Sequence, residues 1–337
     1  MKLTDYRLFG RTGVQFSPFI LGAMSFGRQA NRELSLRIID RALDAGINVI
    51  DTANVYGRGA SEEIVGEALK RDGRRSRIFL CTKVHGKMDD VDPNQQGNSR
   101  YHIIQQCEAS LRRLQTDHID LYQIHRPRPE IAIDETLRAL DDLVRSGKVR
   151  YIGTSTFAGW QVVEALWASK ELGLNRFVSE QAPYNLLDRR IERELLPVAR
   201  TFGLAVIPWS PIAGGLLSGR FQRGQPIPED ARYATRSPDR PNRLLEGIFD
   251  VIDPLTVLAK SKGISLAQLA VAWVLRQPGI TAPIIGPRTL EHLEGNLSAL
   301  EVTFTPDDLQ RIDAIIPPGT NVSPFYDANF GPHSHRW

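Results

Sequence analysis

The chain has 337 residues, 42% hydrophobic and 24% charged, the balance of an ordinary globular protein. Forty-two basic against 39 acidic side chains leave a formal charge of +3, too small to point to nucleic acid as a partner. Two cysteines allow at most one disulfide, the N-terminal stretch MKLTDYRLFGRTGVQ has no apolar signal core, and no apolar run approaches the about 18 residues of a membrane span, so a reducing cytoplasm and no membrane are expected.

The first 17 residues predict a small hairpin, YRLF and VQFS joined by a GRTG turn. Eight short apolar runs follow in chain order: FILGAM, INVIDTA, IFLCTKV, IDLYQIH, VRYIGTS, FVSEQAP, AVIPWSP and APIIGP. Amphipathic segments separate them. ELSLRIIDRALDAG puts Leu36, Ile39 and Leu43 on one face and ends at Gly46, a C-cap. SEEIVGEALK has Ser61 as its N-cap, with Glu62 and Glu63 in the first turn, where the helix dipole favours them. The basic stretch KRDGRRSR after it reads as a solvated helix end and loop. IIQQCEASLRRL aligns Ile104, Cys107, Leu111 and Leu114. ETLRALDDLVRSG, WQVVEALWASKELG and IERELLPVARTFG follow. SLAQLAVAWVLRQPG is apolar nearly all round, as a helix wedged against a barrel is, and TLEHLEGNLSAL closes the repeat.

Strict alternation of strand and helix predicts a parallel sheet, and eight units predict one (β/α)8 barrel domain over residues 1–337. A doubly wound sheet is the alternative, but it wants a G-x-G-x-x-G turn after an early strand, and LGAMSFG does not supply one. Two stretches fall outside the repeat. Residues 214–250, rich in Gly, Pro and Arg, form a long loop after the seventh barrel strand, and such loops are uncommon unless functional. Residues 317–337 form a tail with Phe325, Tyr326, Phe330 and Trp337, placed to fray, to cover the barrel mouth or to meet a second subunit, which leaves room for a homo-oligomer.

Barrel chemistry sits at the C-terminal ends of the strands. Those ends carry Asp51 with Tyr56 in its loop, Lys83, His125, Ser155 with Thr156, Gln181 and Trp209. Singly, each has an ordinary structural reading: the acid caps a turn, the phenol packs, the lysine is solvated, the histidine bonds a carbonyl. Burying all four ionisable kinds at one rim without a use would be costly. Together they make chemical sense. An ammonium beside a phenol favours the phenolate, an aspartate holds the ammonium, and a histidine orients a substrate oxygen. Such an acid suits a reaction that generates an alkoxide, as hydride transfer to a carbonyl does. After the eighth strand, PIIGPRTLEHLEGN runs into a helix N-terminus, the usual phosphate site of these barrels, with Arg288 and His292 one helical turn apart.

DTANVYG, Lys83 in CTKV, and SLRRLQTDHIDLYQIHRP resemble the aldo-keto reductase family, and the resemblance runs from the GRTG hairpin to LEGNLSAL. It is closer to the bacterial and potassium-channel-β-like branches than to the short-loop aldose reductases. The resemblance implies a catalytic tetrad of Asp51, Tyr56, Lys83 and His125, with Tyr56 as proton donor, and NADPH as cofactor with NADH a weaker alternative. It implies cofactor contacts from Gly22, Asp51, Ser155, Thr156, Gln181 and Trp209, from Ser210, Pro211, Ile212, Gly214 and Leu216 along the pyrophosphate, and from Gly286, Arg288, His292 and Asn296 at the adenosine-phosphate end. No metal is called for. The chain departs from the family pattern at three places: Thr156 stands where Asn is usual, Gly295 where Glu is common with Glu294 one position earlier, and Pro287 lacks an N–H for the phosphate. Phe26, Met88 and Arg126 are expected at the rim of a pocket for a small carbonyl or alcohol. Two other functions fit parts of the pattern: a cofactor-sensing regulatory subunit with slow turnover, and a lyase using Lys83 as a Schiff base.

Overall fold

The structure is a computed structural model that describes residues 1–229, 231 and 246–322. Strands β1 (Arg7–Leu8) and β2 (Gln15–Phe16) pair antiparallel as the expected hairpin. Phe9 and Phe16 stack with centroids 4.4 Å apart, Phe79 meets Phe16 edge-on, and this aromatic group floors the barrel interior. Arg7 fastens the hairpin by donating from Nη1 to the carbonyls of Leu275, Ile280 and Thr281.

The barrel strands coincide with the eight apolar runs: β3 (Ile20–Gly22), β4 (Val49–Asp51), β5 (Phe79–Val84), β6 (Ile119–Ile124), β7 (Val149–Ser155), β8 (Ser179–Gln181), β9 (Ala205–Val206) and β10 (Ile284–Ile285). β3 to β9 pair in parallel with their sequence neighbours, and β10 returns to pair parallel with β3, Ile284 opposite Ile20. Between β9 and β10, the Thr281 N–H donates to the Val206 carbonyl and the Ile284 N–H to that of Pro208, each at 2.8 Å, and the ring closes. Alternation divides each strand between two cores. Cys81 and Leu121 point into the barrel, whereas Leu80 and Tyr122 point out to the helices.

Helices α1 (Arg32–Ala45), α2 (Ala60–Lys70), α3 (Arg100–Leu114), α4 (Ile133–Arg145), α5 (Gly159–Leu172) and α6 (Leu195–Phe202) alternate with the strands. Gly46 ends α1 in the left-handed conformation, as expected. The cap of α2 differs from expectation. Gly59, left-handed at φ 102°, precedes the helix, and Ser61 lies inside its first turn. The Ser61 hydroxyl instead donates to the Ala23 carbonyl and meets Thr52 Oγ1, both at 2.8 Å, fixing the helix to the strand end behind the barrel mouth. The basic stretch 70–77 is partly engaged: Arg75 donates to the His118 carbonyl and pairs with Asp120 at 2.8 Å.

Two helices go beyond the expected set. α7 (Phe249–Ser261) begins within the 214–250 segment, and together with α8 (Leu266–Arg276) it spans the gap before β10. α9 (Leu290–Ser298) then completes the repeat, and α10 (Pro306–Ile315) follows, capped by Thr305. Residues 230 and 232–245 of the long loop and the tail beyond Val322, with its four aromatics, lie outside the described residues. The start of the tail is fixed: the Arg189 N–H donates to the Thr320 carbonyl at 2.8 Å, and the Val322 N–H to that of Leu187 at 3.0 Å. No helix among the described residues is long and apolar enough to cross a membrane.

Candidate active site

Four expected residues converge at the C-terminal mouth of the barrel. Asp51 ends β4 and Lys83 is the penultimate residue of β5, both inward-facing and buried. Lys83 Nζ donates to Asp51 Oδ2 at 2.5 Å and to the Thr52 carbonyl at 2.8 Å, and stands 3.3 Å from Tyr56 Oη. Tyr56 opens a short 3-10 turn that the left-handed Gly57, Arg58 and Gly59 bend back over the strand ends. His125 follows β6, and its ring meets that of Tyr56 edge-on at 5.6 Å. Burial opposes the charge on Lys83, yet Asp51 and Tyr56 outweigh it and hold the amine above its ordinary pKa. Burial, then Arg126 and Lys83, push His125 well below the histidine range, so its imidazole is neutral at pH 7.

Sequence reasoning missed Gln123. It lies opposite Lys83 across the β5–β6 ladder, fully buried, and its amide donates to Asp51 Oδ1 at 3.1 Å. Gln181 donates to the same oxygen at 2.9 Å and to Gln123 Oε1 at 3.1 Å. Asp51 is thus held by one ammonium and two amides. The signal for Gln123 was the strand period: two residues before His125, it had to share the inward face.

Ser155 ends β7 opposite Gln181 and donates to the Gln181 carbonyl at 2.9 Å. With both side-chain amide hydrogens of Gln181 committed and its backbone carbonyl accepting from Ser155, its side-chain oxygen Oε1 is the group it can offer a ligand. Thr156 adopts φ 63°, a left-handed conformation that a β-branched residue rarely takes. Arg126 does not stand at the outer rim. Its Nη1 donates to the His125 carbonyl at 2.6 Å, to Thr156 Oγ1 at 2.9 Å and to Ser155 Oγ at 3.4 Å, and its guanidinium lies 5.4 Å from the centre of the half-buried Trp209 ring.

Phe26 also departs from expectation: it is fully buried in the outer core and has no surface to give a pocket. Met88 is half-exposed in the loop after β5, its N–H bonded to the Gln95 carbonyl. Gly22 pairs with Asp51, and a Cβ there would come within 2.6 Å of Ile284 Cγ2, so packing against β10 already requires glycine.

After β9 the chain winds through positive φ at Ser210, Ala213, Gly214 and Gly215, with Pro211 buried and Ile212 packed on the core. Leu216 is fully buried, so only its backbone can meet a ligand. Gly286 is exposed, Arg288 is half-buried, and Thr289 caps α9 by accepting from the His292 N–H. Desolvation, then Arg288, lower the His292 pKa; Arg220 adds to the effect. Asn296 is half-buried one turn further on. Glu294 points to α1, where it pairs with Arg41 at 2.7 Å, away from the role of standing in for the missing Glu at 295.

A closed parallel barrel with acid, phenol, amine and imidazole at the strand C-termini has the layout of a barrel enzyme. The family model of the Aldo/keto reductase family matches residues 18–317, and the chain belongs to that family. It is 41% identical to the uncharacterized oxidoreductase YrpG of Bacillus subtilis over 331 residues, covering 96% of this chain and 99% of that one. It is 36% identical to the versiconal hemiacetal acetate reductase of Aspergillus parasiticus, covering 92% and 96%, and 35% identical to a probable voltage-gated potassium channel subunit beta of Oryza sativa, covering 93% and 96%. The family and the oxidoreductase-named relatives support an oxidoreductase.

Proposed function

We propose that the protein interconverts a small aldehyde or ketone and its alcohol with NADPH. The observation that carries this is Lys83 bridging Asp51 and Tyr56 beside a neutral His125 at the barrel mouth. A bound nicotinamide dinucleotide supplies the hydride. In this reading the carbonyl oxygen, gaining negative charge, takes its proton from Tyr56 Oη. Lys83 stabilises the charge left on the phenol oxygen, and Asp51, itself fixed by Gln123 and Gln181, keeps Lys83 in place. Neutral His125 can donate to the same substrate oxygen and orient it.

The residues present fit the cofactor. The Gln181 side-chain oxygen and the Ser155 hydroxyl would take the carboxamide, and the Trp209 face the ring. Arg126 lies over the Trp209 ring and bonds Thr156 beside it. The backbone turns at positive φ at Ser210 and Ala213–Gly215 suit a pyrophosphate, and Arg288 at the start of α9 suits a 2'-phosphate, which favours NADPH over NADH. Residues 1–337 act in this reading as one barrel domain in the cytoplasm.

The Schiff-base alternative needs a neutral amine at Lys83. The two strong acceptors on Lys83 and its raised pKa argue against it. The sensing alternative keeps the same site and differs in rate. Steady-state oxidation of NADPH across a panel of aldehydes and ketones tests the proposal: multiple turnovers support it, and a single slow turnover with retained cofactor rejects it in favour of the sensor.

A further inference from the structure

Side chains on β8 alternate across the barrel wall. Gln181 turns inward to Asp51, and Glu180 turns outward into the layer beneath α5. Glu180 is fully buried. Neutral donors meet its carboxyl: the Thr154 hydroxyl at 2.5 Å on Oε2 and the Phe157 amide at 3.1 Å on Oε1. Burial raises its pKa to about 7, which these hydrogen bonds and the more distant Arg126 partly offset. A carboxyl held this way is costly for a protein that needs only a packed wall, where an apolar residue would serve.

What it holds is specific. Thr154 and Phe157 are the two ends of the turn that carries Ser155 and Thr156, the turn in which Thr156 is left-handed. Strain of this kind costs about 1–3 kcal/mol and persists only where the surroundings over-determine it. We infer that Glu180 is a positioning residue: from behind the wall it clamps both ends of the Thr154–Phe157 turn, and so holds the Ser155 and Thr156 hydroxyls beside Gln181 for the carboxamide of the nicotinamide. This rests on the nicotinamide reading above.

The test separates the two ends of the cofactor. Fluorescence titration compares NADPH with 2'-phospho-ADP-ribose, which lacks the nicotinamide, on the parent and on Glu180→Leu and Thr154→Val. Glu180→Leu should weaken NADPH about tenfold and 2'-phospho-ADP-ribose less than twofold; Thr154→Val, which removes one donor without changing shape, should weaken NADPH alone by two- to fivefold. Equal losses for both ligands, or none, overturn the inference. If Glu180→Leu does not fold, Thr154→Val decides, and parent-like affinity overturns it. A parent that binds neither NADPH nor NADH sinks the nicotinamide reading and this inference with it, whereas a parent that binds with unaffected variants sinks only the role of Glu180.

Discussion

Lys83 and Tyr56, from adjacent strand–loop units, meet with 3.3 Å between Nζ and Oη, and Asp51 holds the same ammonium from its other side at 2.5 Å. The half-buried phenol therefore sits beside a fixed positive charge. Tyr56→Phe removes the proposed proton donor and keeps the ring. Carbonyl reduction should fall by about 10² to 10⁴, the usual worth of general acid catalysis, with cofactor affinity within twofold of the parent. Steady-state rates and cofactor titration together check this, and a parent-like rate rejects the tetrad.

Arg288→Ala should raise KM for NADPH about tenfold and leave KM for NADH nearly unchanged, since only NADPH carries the extra phosphate. Equal effects on both would remove the 2'-phosphate assignment.

Gln123→Leu takes one amide from Asp51 and one acceptor from Gln181 in a fully buried site. Asp51 then keeps Lys83 but loses its lateral support. A fall in kcat of about tenfold is expected, larger than any change in KM for the carbonyl, because geometry around the acid is what loosens. An unchanged kcat would show that Lys83 and Gln181 suffice.

Thr156→Asn puts at φ 63° a residue that tolerates the left-handed region and can still accept from Arg126. Unfolding free energy should rise by about 1 kcal/mol. Urea denaturation measures it, and a loss of stability would mean that Thr156 contributes packing that outweighs its strain.

Glu180 sets a pH dependence. Its folded pKa of about 7 lies above the ordinary glutamate value of 4.5. Between those values the unfolded chain gives up the proton and the folded chain keeps it. The group therefore favours the folded state fully below pH 4.5, and that contribution is lost as pH rises through 7, a change on the order of 3 kcal/mol. Glu180→Gln does not titrate, so its stability relative to the parent should increase from pH 4.5 to 8. Urea midpoints at both ends of that range decide it; a constant difference rejects the buried-acid account.

The apolar runs made the barrel legible, because each of the eight had to bury both faces. The convergence of Asp51, Tyr56, Lys83 and His125 was legible for a similar reason: strand ends in a parallel barrel all point to one mouth. What escaped was set by tertiary neighbours. Phe26 reads as a rim aromatic because it follows β3, yet the 25–30 turn folds it into the outer core. Ser61 has the residue type of a cap, but Gly59 turned the chain first and left its hydroxyl to Ala23. Arg126 reads as a rim residue after His125, and only the proximity of β7 and Trp209 gave it partners. Gln123 and Glu180 sat in plain strand alternation, but a polar residue on a strand announces its face and not its bond.

The last barrel strand to be made is the one that seals the first. Ile20 waits for Ile284, 264 positions later, and until β10 exists the edge of β3 has no partner on that side. Synthesis from the N-terminus therefore leaves an open, apolar edge for most of the chain's emergence. Truncations that stop short of residue 284 should collect as aggregates rather than as smaller folded barrels, and the complete chain should fold as a late, cooperative event dominated by that long-range closure.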